Sequence, residues 1–295
     1  MKKNANLKVN LHLIEACNYK CRHCFAHFDK HKVLDEKHWQ QIIYNTVDSG
    51  MVSSFNFAGG EPLLYPHLTS LAEYAVSLGC ECSVITNGSL IDEEWIKSNA
   101  HLFATIGFSI DSFSPETLRK IGRCNTKGVI LDLERIVKIF TLIKKYNPSI
   151  KLKINTVVSA INKTENLGEL IRKYNLPVDR WKILRMAKFE NECFSNADIT
   201  VTDDEYSEYI SRNLESLGIT PETDNVLYKA ENEMEIVCES NLNGTYIMVD
   251  AGGYLVDDTK NSNYVRVINC VDTPFPEGLD KLTFKADVYE ARYQK

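Results

Sequence analysis

No stretch of this sequence is apolar for long enough to cross a membrane, and no secretory leader precedes its first patterned segment. Those two absences point to a reducing, cytoplasmic setting in which thiols stay free. Nor is there an excess of positive charge: 34 Lys and Arg stand against 40 Asp and Glu, a net charge of −6. No whole-molecule field therefore draws the chain to nucleic acid or to an anionic membrane, although a few local cations suffice for a phosphate ligand. Internal repeats, low-complexity tracts and an evident linker are also missing. What is present is ordinary for a globular protein: 295 residues, 44% hydrophobic and 25% charged, enough for one large domain or one domain with an extension.

Nine cysteines make an odd count, and only three show ligand spacing. These are Cys17, Cys21 and Cys24, gathered in the run Glu15-Ala-Cys17-Asn-Tyr-Lys-Cys21-Arg-His-Cys24-Phe25. Thiolates favour zinc or iron–sulfur clusters, and a closed zinc site needs four protein ligands. A cluster held by three cysteines keeps one iron open to another molecule. A zinc knuckle completed by His23 or His27 uses the same thiols. The other six, Cys80, Cys82, Cys124, Cys193, Cys238 and Cys270, read as buried small hydrophobes or incidental thiols.

Hydrophobic periodicity alternates between strand and helix. Leu7–Ile14 reads as a first strand that delivers the cysteine loop. A helix capped by Asp35 and stopped by Gly50 follows, with Trp39, Ile42, Ile43, Thr46 and Val47 on one face. The cycle repeats with strands at Ser54–Phe57, Glu81–Thr86, Thr105–Ser109, Lys151–Val158 and Arg180–Leu184. Helices are expected from Leu68 to Gly79, Ile91 to Asn99, Gly128 to Tyr146 and Asn166 to Tyr174. Strands alternating with helices imply an α/β fold with a parallel sheet, whose ligands collect at the carboxyl ends of the strands. The run Gly59-Gly60-Glu61-Pro62 and the turn Asn87-Gly88-Ser89 both fall there. Beyond about Glu190 the alternation fades. A helix is expected over Asp203–Leu217, and a hairpin from Thr245–Val249 and Tyr254–Val256 around Ala251-Gly-Gly253.

The cysteine loop with Phe25 after its last thiol, the Gly-Gly-Glu-Pro run and the Asn-Gly-Ser turn together resemble the radical S-adenosylmethionine (SAM) superfamily. That resemblance implies a partial (β/α)6 barrel over residues 1–190, with residues 191–295 an extension closing over the active site in the same structural unit. It also implies a [4Fe-4S] cluster on Cys17, Cys21 and Cys24, and SAM on the open iron. Phe25, Gly59, Gly60, Glu61, Asn87 and Ser109 would then surround SAM: the glycines by close backbone approach to its methionine part, Glu61 by accepting from its ammonium group, and Ser109 and Asn87 by hydrogen-bonding its ribose. A local turn or capping role is the alternative for Ser109 and Asn87.

A narrower resemblance is to the viperin family. It is carried by Cys-Asn-Tyr-Lys-Cys at 17–21, Phe-Asn-Phe-Ala-Gly-Gly-Glu-Pro at 55–62, Asn-Gly-Ser-Leu-Ile at 87–91, Asp-Ser-Phe at 111–113, Ile-Gly-Arg at 121–123, Lys-Ile-Asn at 153–155 and Arg-Trp-Lys at 180–182. It implies conversion of CTP, UTP or GTP to the 3′-deoxy-3′,4′-didehydro analogue, an antiviral chain terminator. Asn10, Asn56 and Asn155 would face the nucleotide, while Arg123, Lys153, Arg180 and Lys182 would hold the triphosphate, with Mg2+ a candidate companion. Alternation places Lys153 with Asn155, and Arg180 with Lys182, on one strand face each, where unpaired charge is costly and an anionic ligand relieves it. The family also implies that Tyr246 closes over the substrate and supplies the final hydrogen, and that a flavodoxin- or ferredoxin-type protein supplies electrons. Ser54 and Ala58 depart from the vertebrate members, which carry a lysine and a serine there, so the base is left open. The chain resembles the soluble prokaryotic members, with neither nucleic acid nor membrane as a partner. Alternatives are another radical SAM enzyme, of the peptide-maturase or nucleotide-cyclase type, and a non-catalytic zinc or iron–sulfur binding module. The maturases and cyclases carry clustered carboxyl-terminal cysteines, whereas Cys193, Cys238 and Cys270 are isolated.

Overall fold

The computed structural model describes residues 6–24, 33–189, 195–222, 226–241, 243–259, 265–285 and 289. Phe25, His27 and Cys193 lie outside them. The chain enters through β1 (Leu7–His12), α1 (Glu36–Asp48), β2 (Val52–Ala58), α2 (Leu68–Ser77), β3 (Glu81–Thr86), α3 (Glu93–Asn99) and β4 (Thr105–Ser109). It continues through α4 (Pro115–Ile121), α5 (Leu133–Tyr146), β5 (Lys151–Val158), α6 (Leu167–Lys173) and β6 (Arg180–Arg185). Side-chain caps set most helix starts: Asp35, Asp92, Asp132 and Asn166 each accept from a backbone N–H three residues on.

Two expectations shift here. The helix expected from Gly128 begins at Leu133, because the Asn125 side chain accepts from Lys127 N and Val129 N and Gly128 turns left-handed at φ 74°. The short helix α4, capped by Ser114 with Pro115 in its first turn, is additional. It buries only Leu118 and Ile121, too few residues to produce a visible period.

Adjacent strands β1 to β6 pair in parallel. Their two faces differ in kind. On β5, Leu152, Ile154, Thr156 and Val158 are buried beneath the helices, whereas Lys151, Lys153, Asn155 and Val157 alternate with them on the other face. Helix α5 buries Ile136, Ile139, Phe140 and Ile143, each worth about 1.5–3 kcal/mol relative to exposure. The Phe140 ring lies 4.8 Å from that of Phe108 on β4.

The carboxyl-terminal third adds α7 (Asp203–Glu215), β7 (Leu227–Lys229), β8 (Glu235–Glu239), β9 (Ile247–Val249), β10 (Tyr254–Asp257) and β11 (Val265–Asn269). The strand order is β11-β10-β9-β1-β2-β3-β4-β5-β6-β8-β7. Strand β8 joins β6 in parallel and β9 joins β1 in parallel, so the extension prolongs the barrel sheet at both ends. Residues 240–246 connect β8 to β9 directly. Among the described residues those two strands do not pair, so the sheet is an open, partial barrel. Among the same residues no helix is long and apolar enough to cross a membrane.

Candidate active site

The loop that follows β1 is stitched to its neighbours by backbone bonds. Gly60 N donates to Ile14 O at 2.6 Å, and Glu61 N donates to Ala16 O at 2.9 Å. A Cβ at Gly60 would lie 2.3 Å from Ala16 O, and one at Gly59 would lie 2.4 Å from Ile14 O. The two glycines therefore let the β2 loop press on the chain that leads into the cysteines. On the other side Arg22 N donates to Ile121 O at 2.8 Å, and a Cβ at Gly122 would meet Lys20 O at 2.2 Å. Gly122 is a site residue visible beforehand only as part of a motif string.

Glu61 is fully buried and its carboxylate already accepts three hydrogen bonds: from the Thr86 hydroxyl at 2.6 Å, Leu63 N at 3.2 Å and Asn87 N at 2.8 Å. Burial outweighs those bonds and raises its pKa. A carboxylate has about four acceptor directions, so roughly one remains for a ligand. Asn87 donates to Asn18 Oδ1 at 2.8 Å and lies 3.9 Å from Cys17 Sγ, tying the end of β3 to the cysteine loop. Ser109, at the end of β4, lines a small cleft with Tyr19, Asn87 and Arg123.

The four predicted cations separate into two groups. Arg123 stands with the cysteines: its Nε donates to Asp111 Oδ2 at 2.5 Å, and His23 Nε2 lies 3.3 Å from the same oxygen. Asp111 Oδ1 accepts from Val157 N at 2.8 Å. Burial opposes charge on Asp111, but Arg123 and His23 prevail and its carboxyl sits below the ordinary range. His23 is pushed down to about 4 by burial. Its ring is engaged by this buried cluster beside the thiols.

Lys153, Arg180 and Lys182 form the second group, on the inner face of β5 and β6. Lys182 Nζ holds Glu239 Oε1 at 2.6 Å and Tyr246 Oη at 3.3 Å. Arg180 Nε stands 3.7 Å from Glu235 Oε2. Lys153 makes no ion pair among the described residues. Part of its surface is accessible, yet protein surrounds it, and burial with the charges of Lys182 and Arg180 drives its pKa well below the ordinary lysine value. Asn155 Oδ1 is buried without a hydrogen-bond partner. Across the first three strands runs a polar ladder in which Asn56 donates to Asn10 Oδ1 at 2.8 Å and Ser83 donates to Asn56 Oδ1 at 3.0 Å. Lys8 and Glu239 belong to this interior and are absent from the predicted set. Lys8 shares the face of Asn10, which alternation alone makes visible, whereas Glu239 had no strand assigned to it.

The thiols suit an iron–sulfur cluster by donor chemistry. None of Cys17, Cys21 and Cys24 is in a disulfide, and Cys17 Sγ accepts from Tyr19 N at 3.4 Å, the kind of N–H···S contact that supports cluster sulfurs. Burial pushes the Cys21 thiol up to about 12, with Arg123 opposing it, so a metal must draw off the proton. Among the described residues no three Cys, His, Asp or Glu side chains are gathered around one point as for a single metal ion, an arrangement that a cluster with each cysteine on a different iron does not need.

A partial parallel barrel with a three-thiol loop at the end of its first strand is the architecture of one enzyme class. Residues 11–172 match the Radical SAM superfamily, and the chain belongs to it. Within it the chain falls in the viperin family of S-adenosylmethionine-dependent nucleotide dehydratases. The protein of that name from Selenomonas ruminantium is 37% identical over 97% of this chain and 98% of its own. One from Oncorhynchus mykiss, RSAD2, is 28% identical over 73% of this chain and 63% of its own. Among solved structures, native anSMEcpe with bound AdoMet superposes with a TM-score of 0.67, covering 98% of this chain and 84% of that one. At 16% identity that likeness concerns the fold alone.

Proposed function

We propose that this chain dehydrates a ribonucleoside triphosphate, CTP, UTP or GTP, to its 3′-deoxy-3′,4′-didehydro analogue, a chain terminator in antiviral, anti-phage defence in the cytoplasm. The observation that carries the reading is Lys153, a lysine enclosed among Lys182 and Arg180 with no ion pair among the described residues. A triphosphate supplies the missing negative charge, and each charge-assisted hydrogen bond contributes about 1.5–3 kcal/mol. Mg2+ accompanies the triphosphate in this reading.

Residues 1–190 form the barrel and residues 191–295 close it. Cys17, Cys21 and Cys24 hold the [4Fe-4S] cluster beside Phe25, and SAM occupies the cleft of Gly59, Gly60, Glu61, Asn87 and Ser109. With a flavodoxin- or ferredoxin-type electron donor, the cluster and SAM would supply the 5′-deoxyadenosyl radical chemistry that removes the ribose 4′-hydrogen; the 3′-hydroxyl then takes up one proton and leaves as water, and one electron completes the 3′,4′-double bond. The protein holds the ribose still for that step. Asn155 Oδ1 accepts from a ribose hydroxyl, and the Asn10–Asn56 ladder contacts the nucleotide. Arg180, Lys153 and Lys182 fix the tail, with Arg123 closing the site from the cysteine side. Tyr246, oriented by Glu239 and Lys182, delivers the proton that leaves with the 3′-hydroxyl as water.

The test is an anaerobic assay of reconstituted protein with SAM, a reductant and each of the four ribonucleoside triphosphates. Triphosphate-dependent 5′-deoxyadenosine should appear together with a product lighter than its substrate by one water. SAM cleavage triggered only by another substrate class would remove the nucleotide reading.

A further inference from the structure

The inner face of β1 begins with Lys8, two residues before Asn10 and on the same side of the strand. Its register partner on β2 is Ser54, whose own partner on β3 is Glu81. Ser54 is small, so the lysine reaches over it, and Nζ stands 3.8 Å from Glu81 Oε1. The pair is loose. Glu81 is 56% exposed against 21% for the Lys8 side chain, and a long contact to a solvated carboxylate contributes little. The same ammonium lies within electrostatic reach of Arg180 on β6 and Lys153 on β5. Those two cations are far from it in strand order, and the curl of the sheet brings them within that reach.

We infer that Lys8 completes the phosphate site, taking an oxygen of the terminal phosphate. The inference rests on the triphosphate reading above and adds to it a residue and a specificity. Among the described residues, Lys8, Lys153, Arg180 and Lys182 face an interior whose buried carboxylate is Glu239, while Glu81 and Glu235 stand half-exposed. Within that interior Arg180 Nε and Asn155 Oδ1 are buried without hydrogen-bond partners among the described residues. A neutral ligand would leave the excess of positive charge in place; a polyphosphate removes it. Position decides which phosphate Lys8 meets. The cysteine loop follows the carboxyl end of β1, whereas Lys8 lies at the amino end, one layer beyond the Asn10–Asn56–Ser83 ladder. A nucleotide whose ribose faces the cluster therefore directs the far end of its tail towards Lys8. Burial and Arg180 depress the lysine's pKa in the empty site, and a bound phosphate reverses that.

The test is calorimetric titration of the folded protein with a nucleoside triphosphate and with the matching diphosphate. Lys8→Met should weaken the triphosphate about tenfold or more, as for loss of one charge-assisted hydrogen bond, and leave the diphosphate within about twofold. Lys8→Arg should restore the preference. Lys8→Gln, which keeps a donor without the charge, should behave as Lys8→Met, and Lys97→Met, on the surface of α3, should match the unmodified chain. Melting curves establish that each variant is folded. Triphosphate and diphosphate affinities unchanged in both Lys8→Met and Lys8→Gln would overturn the role of Lys8 while leaving the substrate reading intact. An unmodified chain that binds no triphosphate overturns that reading itself, and this inference with it.

Discussion

The Tyr246 hydroxyl donates to Glu239 Oε2 at 3.1 Å, and the other oxygen of that carboxylate holds Lys182 Nζ at 2.6 Å. The contact joins the end of β8 to the residue that leads into β9, so the two parallel strands at opposite ends of the barrel row meet through their side chains. Lys182 Nζ also lies 5.6 Å over the Tyr246 ring. One buried cation thus orders the carboxylate and the phenol together, in the interior that holds Lys153.

Replacing Glu239 with Gln leaves Lys182 charged and buried with a weaker partner. Breaking a buried pair costs about 3–5 kcal/mol, and part of that should appear as a lower melting temperature for the empty protein. A triphosphate replaces the missing charge, so added nucleotide should raise the melting temperature of Glu239→Gln by more than that of the unmodified chain. Equal shifts in the two proteins would place the phosphates away from Lys182.

Tyr246→Phe removes one hydroxyl and about 0.5–1.5 kcal/mol of stability, leaving the barrel intact. With the donor of the leaving group's proton gone, 5′-deoxyadenosine should still form while the dehydrated nucleotide falls about tenfold or more relative to it. Mass-spectrometric quantification of both products checks the ratio. An unchanged ratio would assign that proton to another donor.

Proton uptake should accompany triphosphate binding. Lys153 has its pKa lowered in the empty site by burial, Lys182 and Arg180, with Lys8 adding and Glu239 opposing. Phosphate raises it again, so between the empty-site and bound pKa values the complex holds more protons than the free protein. Affinity must then fall as pH rises through that window. Calorimetry in buffers of different ionisation enthalpy counts the protons, and Lys153→Met should reduce the count.

Gly60→Ala and Gly122→Ala should lower iron content after anaerobic reconstitution. Each new Cβ would stand within 2.3 Å of a carbonyl oxygen of the cysteine loop, so the loop must move. Gly79→Ala is the control: its φ of +81° is left-handed like that of Gly122, yet nothing lies within 4 Å, so it should cost about 1–2 kcal/mol of stability and no iron. Equal iron in all three would detach these glycines from the geometry of the thiol loop.

Much of the barrel was legible because its signals are local. Strands β3, β4 and β5 occupy the expected residues, and the Asp35 cap and the left-handed Gly50 bracket α1 as read. Strand β8 was not legible. Its residues Glu235–Glu239 carry no turn signal or clear alternation, and their strand form depends on the free edge of β6. The close approach of the β2-loop glycines to the backbone of the cysteine loop was not legible either, because it joins segments more than forty residues apart.

The sequence by itself determined the alternation of strands and helices, the thiol spacing and the face on which each strand lysine lies, since all three follow from backbone period and neighbouring residues. Only the tertiary structure decided which charges meet: Arg123 with Asp111 beside the thiols, Lys182 with Glu239, and Lys8 within electrostatic reach of Lys153 and Arg180. Those meetings depend on strand order, register and the curl of the sheet. Such relations bring together residues far apart in the chain, and no local pattern encodes them.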